Sequence, residues 1–186
     1  MESANRDMAV KLDIMLHAFL LTQSGIPVIY SGDEIGQLND YSYHDSPDPD
    51  KAADSRYVHR GAFHWENAAK REDLSTPEGK IFDAVHKLVK LRDTQAVFSN
   101  SADTWLVETG NDHVLGIGRY YGEKTQKEKM LAFFNFSDEP QTITTSENLS
   151  GIFSYRNMIT GENFRANSIG QIKLEGFGFL WLLADL

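Results

Sequence analysis

From about Asn5 to Gln23 the apolar residues recur at helical spacing. Val10, Ile14, Phe19 and Leu21 follow one line, and Leu12, Met15, Leu16 and Leu20 widen it. An arc that wide predicts a helix buried on most sides. Charges fall only in its first turns, at Arg6, Asp7, Lys11 and Asp13, and Gly25 is placed as a stop just past its end. Ile26-Pro27-Val28-Ile29-Tyr30 follows at once, a short continuous apolar run. Such a run predicts a strand covered on both faces, as in a parallel sheet, and Pro27 is tolerable at its start. Residues 31–74 are irregular and dense in turn formers, most of all Asn39–Asp50. A loop that long inside a compact domain is often functional. A second helix is announced by Ser75 or Thr76 as cap, Pro77 in the first turn and Glu78 behind it. Ile81, Phe82, Val85, Leu88, Val89 and Leu91 then repeat to about Arg92.

Past Thr104 the period drops to two. Short alternating runs occupy Thr104–Glu108, Val114–Tyr121, Met130–Phe136, Gln141–Thr145, Gly151–Asn157, Ile169–Leu174 and Phe177–Leu183. Turn signals such as Gly110-Asn111-Asp112 and Thr160-Gly161-Glu162 separate them. Seven short strands at this spacing predict an antiparallel sandwich. The expected fold class is therefore α+β, with a boundary between Phe98 and Asp103. The first half is odd by itself: one buried strand and two helices, with no other stretch before Ser101 to pair the strand. It reads as a piece of a larger sheet.

Composition narrows the function. In 186 residues there are 18 Lys+Arg and 27 Asp+Glu, a net charge of −9. The excess is shared, −5 up to Asn100 and −4 from Ser101 onward, so no basic patch hides in the average. Nucleic-acid binding, which needs clustered positive charge, is not expected. The absence of cysteine removes disulfides, thiolate metal sites and cysteine nucleophiles. The longest uncharged run, Ile14–Gly32, has the length of a membrane span, but Gly25 and Pro27 would break a helix there, so no membrane partner is expected. The Met-Glu-Ser-Ala-Asn start has no basic stretch or cleavage site, which reads as no signal peptide and as either the start of a cytoplasmic protein or an artificial start inside a longer one.

Candidate chemistry concentrates after the apolar run. Asp33 and Glu34 sit among Gly32 and Gly36 at its C-terminal end, the end that carries active sites in α/β barrels. They either face a pocket or fix the turn by bonding loop backbone. They do not suit a glycosidase acid pair, because neighbours in an extended segment point to opposite sides. His44, His59 and His64, and the carboxylates Asp45, Asp48, Asp50 and Asp54, are the only metal-ligand candidates. The carboxylates do not match an EF-hand loop, which needs glycine at its sixth position, and a solvated acidic loop with no metal and no cofactor is the expectation. Trp105, Tyr120, Tyr121, Phe133, Phe134 and Trp181 alternate with polar residues, which predicts core rather than a sugar-stacking row.

The segment Gly25–Gly36 resembles the eighth-strand region of glycoside hydrolase family 13, the α-amylase superfamily. Leu38-Asn39-Asp40, then Asp54-Ser55-Arg56-Tyr57-Val58-His59-Arg60, then Asp73-Leu74-Ser75-Thr76 with Gly79 resemble its amylosucrase branch in the same order. Asn135-Phe136-Ser137 with Pro140-Gln141-Thr142 resembles a strand of the family's C-terminal β-domain. Two positions depart from the pattern: Gly61, where proline follows His-Arg in amylosucrases, and Gly176-Phe177, where a Pro-Tyr-like pair is common.

The resemblance implies that residues 1–100 are the last part of a (β/α)8 catalytic barrel, with Ile26–Tyr30 as its eighth strand. Residues 101–186 would be the C-terminal antiparallel sandwich. It implies an α-glucan-active parent, amylosucrase-like, taking sucrose or α-glucan by retaining double displacement. The catalytic carboxylates follow the fourth, fifth and seventh strands in this family and would lie before Met1. The fragment alone would then be inactive. The implied substrate-binding residues are Arg56, Asp33, Glu34 and Asp54. Arg56 would pair with an acidic residue of an earlier loop and close the glucosyl pocket. A stranded apolar strand also predicts self-association. The alternative is a non-catalytic carbohydrate-binding or structural sandwich module.

Overall fold

A computed structural model describes residues 3–145, 154–165 and 171–185. The chain divides into two compact units, residues 1–27 with 84–186, and residues 28–83. The first unit holds helix α1 (Ser3–Thr22) and strands β1 (Asp103–Val107), β2 (Val114–Gly122), β3 (Lys127–Asn135), β4 (Gln141–Ile143), β5 (Ser154–Asn157), β6 (Asn163–Arg165), β7 (Ile172–Leu174) and β8 (Phe179–Ala184), with α1 packed on β2, β3 and β8. Six strands form one antiparallel sheet in the order β1-β2-β3-β8-β5-β6, and β4 and β7 pair separately.

Alternation in β3 and β8 assigns the two faces. Met130, Ala132 and Phe134, with Trp181 on β8, join Met15, Ala18 and Leu21 of α1, Leu88, and Phe98 in one core. Leu131 and Phe133, with Leu182 and Ala184, join Ile143 of β4 and Ile172 and Leu174 of β7 in a second core on the opposite face. β3 is thus covered on both sides, which is why its run from Met130 to Asn135 is buried without a break. The sandwich expected from the sequence is present, with helices as a third layer. The aromatics Phe133, Phe134 and Trp181 are wholly buried and build core, whereas Trp105, Tyr120 and Tyr121, on β1 and β2, are only half-buried.

Three expectations are corrected. Helix α1 presents one face to the sheet, and Leu16 and Leu20 remain exposed. Strand β6 is additional, because Asn-Phe-Arg is too short to show alternation. Ile26–Tyr30 is no strand: no described segment pairs with it, and Ile26 and Val28 are 88% and 78% exposed. An apolar run becomes a strand only where a partner accepts its ladder. Parts of two expected strands, residues 151–153 and 169–170, lie outside the described residues.

The C-terminus of α1 is held by three side chains. Arg119, on the helix-facing side of β2 and fully buried, donates to the carbonyls of Thr22 (3.0 Å), Val97 (2.8 Å) and Ser99 (2.9 Å). It also donates to the hydroxyls of Ser24 and Thr104. Arg92 donates to the carbonyls of Leu21, Gln23 and Gly25, and the Asn100 side-chain oxygen accepts from the Gly25 N–H at 2.7 Å. Two cations at a helix C-terminus complement its dipole and satisfy its orphan carbonyls. Burial first, then the nearby Arg92, lowers the pKa of Arg119.

Helix α4 (Pro77–Thr94) runs from the second unit into the first. Thr76 is its cap: the Thr76 hydroxyl accepts from Gly79 N–H at 3.1 Å and its carbonyl from Lys80 N–H. The second unit also holds two short helices, α2 (Pro49–Ala53) and α3 (Trp65–Ala68), and several 3-10 turns.

Candidate functional site

Residues 28–83 carry all four sequence-predicted site residues. The turn after Tyr30 is built from backbone. Asp33 N–H donates to Tyr30 carbonyl (3.0 Å), and Ile35 and Gln37 donate to the Gly32 carbonyl (3.1 and 2.9 Å). Gly32 and Gly36 bracket it with φ of 104° and 62°, values that favour glycine. At Gly36 a Cβ would also press on Ile81 of α4. Glu34 folds back on this turn: its carboxylate accepts from the Gly32 N–H at 2.8 Å. Asp33 is exposed and shares no hydrogen bond with the Arg56 loop. Of the two readings open for this pair, Glu34 takes the turn-fixing one.

Asp54 and Arg56 form a forked ion pair in this unit. Asp54 caps the 3-10 turn Ser55–His59 by accepting from Arg56 N–H at 3.0 Å. The same carboxylate receives Arg56 Nε at 2.8 and 3.0 Å and Nη2 at 2.7 Å. A planar guanidinium offers this forked geometry, and a lysine does not. The side-chain hydrogen bond from Arg56 is the largest cause holding the Asp54 carboxyl down to about 2. The Arg56 side chain stays 72% exposed, so the pair orients a guanidinium toward solvent. The acidic partner found for Arg56 is thus Asp54, two residues away.

Gln37 and Asp40 join this loop to the Gly32–Gly36 turn; Gln37 did not stand out in the sequence, and Asp40 did so only within the Leu38-Asn39-Asp40 motif. Gln37 accepts from His64 N–H (3.1 Å) and donates to the Ala62 carbonyl, and Asp40 N–H donates to the Val58 carbonyl at 2.9 Å. The Asp40 carboxylate accepts from Ser42 N–H. The charge-rich stretch also holds an aromatic contact, Tyr57, with Lys51 Nζ at 5.2 Å and Arg60 at 5.6 Å from its ring centre. Among the expected acidic cluster, Asp48 and Asp54 are helix caps. His64 pairs with Glu66 at 3.0 Å, and His44 lies against Tyr43. Among the described residues no group of three or more His, Cys, Asp or Glu could hold a metal ion.

This geometry can do one thing chemically: present a fixed, exposed cation at a loop whose neighbouring turn is rigidly tied.

No protein-family model matches the chain. Solved structures do. AmyP in complex with maltotriose superposes at a TM-score of 0.72 over 95% of this chain and 35% of that one, with 16% identity. The trehalulose synthase of Pseudomonas mesoacidophila MX-45 gives 0.67 over 94% and 38%, with 16% identity. The trehalose-6-phosphate hydrolase of Bacillus licheniformis gives 0.64 over 94% and 39%, with 19% identity. The chain has the fold of the C-terminal region of family 13 glycoside hydrolases. It spans little more than a third of each of these proteins. No helix among the described residues is long and apolar enough to cross a membrane.

Proposed function

We propose that this chain is the C-terminal part of an α-glucan-active glycoside hydrolase family 13 enzyme, of the sucrose-using amylosucrase type. The observation that carries the reading is the superposition of 95% of the chain on AmyP, joined to the Asp54–Arg56 loop. In this reading residues 1–100 complete a catalytic barrel and residues 101–186 are its β-domain. A carboxylate outside this chain attacks the anomeric carbon, a glutamic acid protonates the leaving oxygen, and an acceptor opens the covalent intermediate. Arg56, held by Asp54, borders the glucosyl pocket, with Asp33 and Glu34 on the adjoining turn. The β-domain acts as support, since Phe133, Phe134, Tyr155 and Trp181 are spent on core. Apart from its parent, the chain associates with itself through the exposed Ile26–Tyr30 run.

Glucose release and glucan formation from sucrose, measured on this chain and on the complete gene product side by side, test the reading. The complete product acts and the 186-residue chain does not. Turnover by the chain alone at a comparable rate would place the chemistry on Asp33, Glu34 or Asp54 and overturn it.

A further inference from the structure

Both carboxylate oxygens of Asp54 are spent inside the loop. Oδ1 accepts from the Arg56 backbone N–H at 3.0 Å and from Nε at 2.8 Å. Oδ2 accepts from Nε at 3.0 Å and from Nη2 at 2.7 Å. A carboxylate offers about four acceptor sites, so a ligand would have to break this grip to reach Asp54. The backbone fixes Asp54 in turn: its N–H donates to the Lys51 carbonyl and its carbonyl accepts from Tyr57 N–H, each at 3.1 Å.

Arg56 is in the opposite condition. A guanidinium has two edges at which paired N–H donors can meet two oxygens, Nε with Nη2 and Nη1 with Nη2. Asp54 takes the first. The second is open, because Nη1 bonds nothing among the described residues and the side chain stands mostly in solvent. The two uses do not compete. Arg60, the other guanidinium of this loop, lies 5.6 Å from the Tyr57 ring centre and leaves Asp54 to Arg56.

We propose that Asp54 is a positioning residue. It holds Arg56 by the Nε–Nη2 edge and presents the Nη1–Nη2 edge, already ordered, to two adjacent oxygens of the ligand. That the ligand is a glucosyl donor rests on the function proposed above; which edge is held and which is offered rests on the loop alone.

Proton–nitrogen NMR of the arginine side chains in the 186-residue chain reads the held edge. The Arg56 Nε–H signal exchanges slowly with water and stands apart from free arginine. Asp54→Ser keeps a capping oxygen but cannot grip a guanidinium, and it returns the signal to the free position. In the complete gene product acting on sucrose, Asp54→Ser raises KM ~10-fold with kcat within ~2-fold, the cost of ordering one long side chain at binding. In an Arg56→Ala background the same substitution leaves KM where it is. Arg56→Lys keeps the charge without the edges and loses as much as Arg56→Ala. A free-position Arg56 signal in the unaltered chain, a KM untouched by Asp54→Ser, or the full loss repeated in the Arg56→Ala background overturns the proposal. A complete protein inert on sucrose and glucans refutes the proposed function instead, and the NMR signal then decides whether Asp54 holds Arg56.

Discussion

Arg119→Met sets two large effects against each other. Arg119 is fully buried and no carboxylate pairs with it among the described residues, so its own desolvation opposes folding. Replacing a buried charge by an apolar side chain of similar size is often neutral or stabilising when its partners are replaced too. Here they cannot be, because three of the five acceptors are backbone carbonyls, those of Thr22, Val97 and Ser99. The hydroxyls of Ser24 and Thr104 can turn to other partners; the carbonyls stay where they are. An orphaned buried acceptor costs about 1–3 kcal/mol. Water entering the space left by the guanidinium reduces each cost toward the lower end. The net expectation is a loss of about 3 kcal/mol. With a urea m-value of about 2 kcal/mol per molar, the midpoint falls by about 1.5 M. Emission from Trp181, wholly buried in the core that α1 shares with the sheet, reports the transition. Arg119→Lys falls between, since one ammonium cannot span acceptors spread over α1, the 96–99 turn and β1. A midpoint for Arg119→Met at or above that of the unaltered protein would refute the reasoning, and would mean that the buried charge outweighs the carbonyls it serves.

Asp54 titrates at about 2 instead of its ordinary 3.8, so the folded state favours its charged form. Its contribution is therefore complete above the ordinary carboxylate range and lost as pH falls through about 2; carboxyl-carbon NMR shows a late titration that Arg56→Ala returns toward 3.8. Gly79→Ala drives a Cβ into the Asp73 carbonyl, a backbone atom that cannot step aside, and lowers the stability of the unit formed by residues 28–83 by about 1–3 kcal/mol, read by hydrogen exchange at the start of α4. Phe133→Ala empties a fully buried site between the two sheets and costs about 3–5 kcal/mol in urea titration; a change below 1 kcal/mol would mean that the second core is not packed as described.

The β-domain was largely legible because short apolar runs and the turns between them are local signals. Met130–Asn135 and Phe179–Ala184 are short apolar runs set between turn signals, and their two faces go to two cores. Ile26–Tyr30 misled for the complementary reason. Its composition says how well it would fit a buried sheet, but strand formation also needs a neighbour, and a neighbour is not a property of the segment. The width of the apolar arc on α1 misled similarly: the pattern shows which residues tolerate burial, while Leu16 and Leu20 show that tolerance is not contact.

In the loop unit the sequence could not assign the bonds of the residues it singled out. Asp54 and Arg56 are two apart, close enough for the carboxylate to cap the turn and still take the guanidinium, a geometry visible only once the 3-10 turn exists. Glu34 could face a pocket or close its turn, and the deciding bond to Gly32 depends on glycine φ values that the sequence merely permits. Gln37 carried no signal, since a single glutamine in a polar loop is unremarkable until His64 and Ala62 arrive beside it. Arg119 did carry one. It follows Leu115 and Ile117 at every second position of β2, so a permanent charge falls on the parity of the core. A charge at such a position has to be met by acceptors from elsewhere in the chain. The carbonyl at the end of α1 and those of the 96–99 turn are the groups that meet it, and through them the sheet fixes where the helix ends.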